Sequence, residues 1–246
     1  MEVNMKKTIL LAGLLVALTA SSALAAGISI NWGNACWGDV PVNNLTWACN
    51  ANNYTGVRMT CSFKPVETKG TLIASDLYLE GMTEATGVPD WWKLGPTETG
   101  DCRSNLVTLS SDGSVLAGPD CQDLWQGLGG GGIGLYYWND DRMHLNAVWA
   151  VADPVEAVGE TEVFAAQIRI ATGKTVGATA CAGCATPCCW ALNYIQVGYL
   201  GEMVPLILDQ PYAGGNQVLA WQSSTLTCGE VPARNTTWGQ IKSLYR

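Results

Sequence analysis

Histidine is nearly missing from this chain: of 246 residues, only His144 carries an imidazole. A serine triad would have to use it, yet the sequence holds no GxSxG nucleophile turn and strand alternation places His144 on a polar face. Charge is scarce as well. Asp, Glu, Lys and Arg make up only 14% of the residues, and their balance is acidic at −8, where soluble domains usually carry about 25% charged residues. An acidic chain lacks the cationic surface that nucleic acid or an anionic membrane demands, so neither is an expected partner. Long apolar runs are absent beyond the first 25 residues, where no stretch reaches the roughly 18 uninterrupted apolar residues of a spanning helix. Membrane insertion is therefore not expected once that leader is removed. Helical periodicity is almost absent before the C-terminus, which leaves strands as the material of the fold.

What is present begins with an export signal. Lys6 and Lys7 precede an apolar stretch from Thr8 to Leu18, and Ala23-Leu24-Ala25 forms an A-x-A cleavage site. Met5, directly before the lysines, is an equally good start, and no cysteine stands at the cleavage point to take a lipid anchor. The pattern predicts a bacterial signal peptide over residues 1–25 and a periplasmic, cell-surface or extracellular address. No proline-rich or charge-rich linker divides the remainder. One domain over 26–232 is expected, followed by a helical tail over 233–246.

All ten cysteines follow the leader: Cys36, Cys49, Cys61, Cys102, Cys121, Cys181, Cys184, Cys188, Cys189 and Cys228. An even count in an oxidising compartment points to disulfides throughout. The stretch "CAGCATPCCW", residues 181–190, also contains a CxxC. Redox chemistry wants that motif opening a helix, and zinc wants four deprotonated ligands. Here it lies between strand-like runs of an exported chain, so a structural staple without metal or cofactor is expected. The simplest local closures are Cys36 with Cys49 and Cys102 with Cys121. Cys188 and Cys189 face opposite sides of an extended segment and should take different partners. Cys61 shares an apolar face with Val57, Met59 and Phe63, from which Cys189 is within reach across a core.

Period-two alternation supplies the fold class. Val57, Met59, Cys61 and Phe63 form one apolar face; Met143, Leu145, Ala147 and Trp149 form a second, with Arg142, His144 and Asn146 opposite. Phe164, Ala166, Ile168 and Ile170 form a third, with Gln167 and Arg169 outward. Further strands are predicted over 28–32, 72–79, 105–109, 133–138, 191–197 and 218–221, enough for two antiparallel sheets packed as a sandwich. Gly129, Gly131 and Gly134 match GxGxxG, but the segment leads into a strand instead of a helix, so dinucleotide binding is not expected. Asn139, Asp140 and Asp141 read as a hairpin turn, with Ca²⁺ binding the sharper alternative.

Three groups are candidates for function. Trp91 and Trp92 in "PDWWKLG" are the best choice for exposed rings that stack on sugars, with ordinary packing as the alternative. Asp120, Asp123, Glu160 and Glu162 are the acids a glycosidase would draw on. In the tail "NTTWGQIKSLYR", Thr237 and Gln240 make a capping box, and Trp238, Ile241 and Tyr245 share one helical face. So short a helix must dock, on its own domain or on a partner.

Four stretches, "NWGNACWGD", "PDWWKLG" before "CRSN", "KTVGATACAGCATPCCWALNYIQV" and "VPARNTTWGQIKSLYR", together resemble an uncharacterised family of exported, cysteine-rich bacterial proteins. The resemblance implies a β-sandwich of the immunoglobulin, cohesin or jelly-roll kind, close in class to cohesins and carbohydrate-binding modules. It also implies that Cys61 and Cys189 are additions to the family's cysteines, which would suit a bridge between them. No catalytic residue is carried over. The expected function is a surface-exposed structural or interaction module binding protein, with glycan binding as the alternative and glycoside hydrolysis as the second.

Overall fold

Alternating side chains give a strand one apolar face, and two such sheets satisfy each other by stacking. The computed structural model describes residues 26–65, 70–95, 101–119, 121–137, 142–156 and 161–222, which build one such pair. The strands are β1 (Gly27–Trp32), β2 (Asn44–Leu45), β3 (Arg58–Lys64), β4 (Thr71–Thr83), β5 (Val107–Ser110) and β6 (Cys121–Gln122). They continue with β7 (Gly130–Tyr137), β8 (Arg142–Glu156), β9 (Glu162–Ile170), β10 (Cys188–Tyr199), β11 (Leu206–Leu208) and β12 (Val218–Trp221). The smaller sheet runs β1-β3-β9-β5 with β6 beside β9; the larger runs β2-β12-β10-β4-β8-β7 with β11 beside β10. Among the described residues only the short β6–β9 and β2–β12 ladders are parallel. The antiparallel sandwich expected from alternation is therefore the fold.

Helix is confined, among the described residues, to 3-10 turns at Asp90–Trp92 and Gly113–Val115. None is long and apolar enough to cross a membrane. The leader, the turn at Asn139, Asp140 and Asp141, the acids Asp120 and Glu160, and the tail with Cys228, Trp238, Ile241 and Tyr245 lie outside the described residues.

The core sits between the sheets. Val57, Met59, Cys61 and Phe63 meet Leu77, Leu79, Met143, Leu145, Ala147, Ile195 and Val197 there, all buried. Alternation misplaces one side chain of β9. The register passes from Cys61 opposite Ala166 to Ser62 opposite Phe164, skipping Ala165. This β-bulge reverses the parity, so Phe164 leaves the main core and packs with Cys36 and Trp125 on the far side of the smaller sheet. Trp149, also expected inward, is only partly buried and packs against that second cluster.

A loop anchored on the buried Asn31 covers the far side. Its amide donates to the carbonyls of Ala35 and Val40, both at 2.8 Å, and its oxygen accepts from Val42 N–H at 2.6 Å. The "NWGNACWGD" stretch is thereby wrapped against β9. Gly38 lies close to Glu162 within it: a Cβ there would stand 2.8 Å from a Glu162 carboxylate oxygen, which would have to shift.

The disulfides join elements that are distant in sequence: Cys36–Cys121, Cys49–Cys184 and Cys102–Cys181. The local closures Cys36–Cys49 and Cys102–Cys121 do not form. Cys36 and Cys121 belong with the cluster outside β9, whereas Cys49 and Cys184 pack on the main core. Cys61 and Cys188 are thiols instead of bridge members. Cys188 points inward with Trp190 and Leu192, which turns Cys189 to the outer face of the larger sheet and away from Cys61. The neighbours do take opposite faces, but Cys189 is the disulfide-bonded one. Burial pushes both thiols far up in pKa, so neither forms a thiolate at neutral pH.

Non-reducing peptide mapping of the native protein is expected to return these linkages. Cys61 and Cys188 should resist alkylation until denaturant is added, and rapid labelling of either in the folded state would contradict their burial.

Candidate interaction surface

The residues singled out by chemistry in the sequence turn out to form a cage. Trp91 and Trp92 are both 0% exposed, so they offer no platform to a sugar, correcting the expectation of exposed rings. Trp91 stacks on Trp221 at 5.2 Å, and Trp92 meets Trp91 edge-on at 4.8 Å. Trp92 also contacts Trp190, and Trp47 contacts Trp91 and Trp221. Their apolar rings demand burial, and the sandwich end is where adjacent tryptophans reach it.

Arg103 closes the cage. Its guanidinium lies 3.8 Å from the Trp91 ring centroid and donates to the carbonyls of Trp91 at 2.6 Å, Gly173 at 3.1 Å and Ala171. Burial draws its pKa down to about 9, so it remains a cation at neutral pH.

"CAGCATPCCW" now has a reason residue by residue. Cys181 ties to Cys102, beside Arg103, while Cys184 ties to Cys49, beside Trp47. The two CxxC sulfurs thus serve different partners and form no redox couple. Ala182 accepts from Trp91 N–H at 2.8 Å, and the Cys184 carbonyl accepts from the Trp221 indole at 2.7 Å. Gly183 has φ +100° and a Cβ there would fall 2.3 Å from the Pro89 side chain, so only glycine fits between the cysteines. Among the described residues no group of His, Cys, Asp or Glu is arranged to hold a metal.

The candidate acids hold loops. Asp123 accepts from the N–H groups of Gly113, Trp125 and Gln126 at 3.0 to 3.1 Å. Glu162 accepts from Trp37 N–H at 3.2 Å, Gly38 N–H at 3.0 Å and the Ser62 hydroxyl. Their side-chain oxygens are engaged chiefly by backbone donors, which is structural work.

Two surfaces of the larger sheet stand out. On its outer face, Tyr78 stacks on Tyr194 at 5.2 Å and 5°, and its hydroxyl pairs with Nδ1 of His144. Arg142 pairs with Glu80, which also accepts from Asn193, and Asn146 donates to Asp76 at 3.2 Å. Burial lowers the pKa of His144, with Arg142 adding to the effect and Glu80 opposing it. A histidine held neutral in this way favours the fold above its ordinary pKa and loses that contribution as pH falls. Burial raises Tyr78 and Asp76.

The second surface is the connection from β10 to β11. Leu200 is 61% exposed, Met203 97%, Val204 77% and Ile207 56%. The strands on either side position it: Val197 pairs with Leu206 and Gln196 with Ile207, so the turn projects beyond the sheet. Exposed apolar residues clustered in one short segment mark an interaction site more than scattered ones do. Sequence reasoning passed over them because "YLGEMVPLIL", broken by Gly201, Glu202 and Pro205, shows no period-two alternation to separate inward from outward positions.

No protein-family model matches the chain, and no curated protein matches it. Among solved structures it is similar to a type III cohesin module from the cellulosomal ScaE cell-surface anchoring scaffoldin of Ruminococcus flavefaciens. Identity is 17%, the TM-score is 0.31, and the match covers 82% of this chain and 89% of that one.

Trp92→Ala is expected to lower unfolding free energy by about 3 to 5 kcal/mol, the usual cost of emptying a tryptophan site in a core. Urea unfolding measures this, and a variant as stable as the native protein would show that the cage is not packed as described.

Proposed function

We propose that this protein is an exported, non-catalytic interaction module that binds a protein partner through the β10–β11 turn. The observation that carries the reading is the apolar cluster of Leu200, Met203, Val204 and Ile207, held in water at the end of a rigid sheet. Burying it against a complementary apolar patch would stabilise a complex by about 25 cal/mol for each Å² removed from water. Export is supported by the leader pattern and by three disulfides, which persist in oxidising compartments. The resemblance to an exported, cysteine-rich bacterial family points the same way.

A protein reading is favoured over a glycan reading by the burial of Trp91 and Trp92. It is favoured over hydrolysis by the commitment of Asp123 and Glu162 to loop N–H groups.

The test compares the native protein with a Leu200→Asp/Met203→Asp variant, each immobilised and exposed to the exported proteins of the producing cell. Both substituted sites are exposed, so stability should change by less than about 0.5 kcal/mol each. Retention of a defined protein by the native form and its loss from the variant is the expected outcome. Equal retention by both, or retention of glycan alone, would overturn the proposal.

A further inference from the structure

The last strand of a sheet carries a row of main-chain N–H and C=O groups that no ladder satisfies. Folds guard such edges with very short strands, lysine, proline, bulges or covering chain. Among the described residues, β1 is guarded by cover: Ile28 and Ile30 N–H donate to the Gln210 and Asn216 carbonyls at 2.9 and 2.7 Å, and Trp32 N–H donates to Val42 at 2.9 Å. The edges formed by β2, β5, β6 and β11 are short, with two, four, two and three residues. β7 has no such guard. It ends the larger sheet, runs eight residues, pairs with β8 without a register shift, and contains neither proline nor a charged residue.

Its surface is bare. Gly130, Gly131 and Gly132 are all exposed. The register sets Gly130 beside Ala150 and Gly132 beside Val148, which is 43% exposed on the outer face, and Leu128 just before the strand is 61% exposed. A Cβ on Gly130 or Gly132 would meet nothing within 4 Å. On the inner side, Ile133 and Leu135 lie beside Ala147 and Leu145 of the core, so the strand is held firmly by one face and by one edge only.

We infer that β7 pairs antiparallel with β7 of a second copy of this chain, joining two larger sheets into one across a two-fold axis. Main-chain edge groups are matched by another extended strand, and a two-fold contact requires a surface that complements itself. This edge does so: strand, glycine ledge and the flanking Val148 and Leu128 are all uncharged, so a copy meets no opposing charge despite the overall −8. The core faces of both copies stay on one side only if residues of equal parity are opposed. Centred on Ile133, the axis sets Ile133 against its own copy, Gly131 against Leu135 and Gly132 against Gly134. Each exposed Gly131 thereby gains a leucine opposite, the kind of cross-strand cover an edge glycine lacks alone. Interfaces under about 1,200 Å² are transient, and one strand pair with its flanks belongs to that class, so the dimer dissociates on dilution. β4 and β8 separate β7 from β10, so this surface is distinct from the β10–β11 turn and does not rest on the role proposed for it.

Sedimentation velocity over a dilution series tests the inference on the native protein and on Gly130→Lys/Gly132→Lys. Both new side chains enter open space, so the variant should unfold in urea as the native protein does, while lysines on the edge oppose pairing. The native chain is expected to form a reversible dimer toward millimolar concentration, and the variant to self-associate about tenfold more weakly or worse. Hydrogen exchange locates the contact: amides of residues 130–135 should gain protection as the native protein is concentrated, and this readout decides the matter should the variant fail to fold. Leu200→Asp/Met203→Asp should dimerise as the native protein does, which keeps a failure of the turn proposal separate. A native protein that stays monomeric near millimolar concentration would overturn the inference. A dimer that persists undiminished in the folded lysine variant, or that leaves the β7 amides unprotected, would do so as well.

Discussion

The structure depends on a cation buried where water cannot reach it. Arg103 is fully buried, stacked on Trp91, and satisfied by carbonyls of Trp91, Ala171 and Gly173. Those carbonyls belong to the Trp91 turn and to the segment following β9, two pieces of chain with no ladder between them. A guanidinium suits the task because its planar fork donates in several directions while its face lies on an indole. Losing it would strand buried acceptors at a cost of about 1 to 3 kcal/mol each. Cys102–Cys181 and Cys49–Cys184 then hold covalently what the arginine organises.

This arrangement gives residues with reactive reputations structural work. Cysteines spaced as CxxC, adjacent tryptophans and paired acids all suggest chemistry when read along the chain. Among the described residues these are taken up by packing: the CxxC sulfurs by distant partners, the indoles by one another, Asp123 and Glu162 by loop N–H groups. The exposed apolar cluster of the described residues lies instead at the larger sheet, in the β10–β11 turn, which contains no cysteine, tryptophan or histidine.

Alternation made much of the fold legible. The faces of β3 and of β8 up to Ala147 follow directly from period two, and the strand predicted at 191–197 begins earlier only because Cys188 pairs with Thr83. Phe164 was misplaced because a bulge is set by the partner strand and leaves no mark in the alternation of its own. Disulfide connectivity was illegible for a related reason. Proximity along the chain says little when loops from opposite sides of a sheet intervene, as between Cys36 and Cys49. Trp91 and Trp92 sit in a proline-flanked loop that reads as exposed, and only the converging Trp221, Trp190 and Arg103 bury them.

The central claim, that a buried Arg103 cage organises the cysteine-rich end of the sandwich, is tested most directly by urea unfolding of Arg103→Lys. Lysine keeps the charge but cannot reach the three carbonyls and cover Trp91 at once, so the account predicts a loss of about 3 kcal/mol or more. A variant as stable as the native protein would mean that the tryptophans and disulfides hold this end together without the arginine.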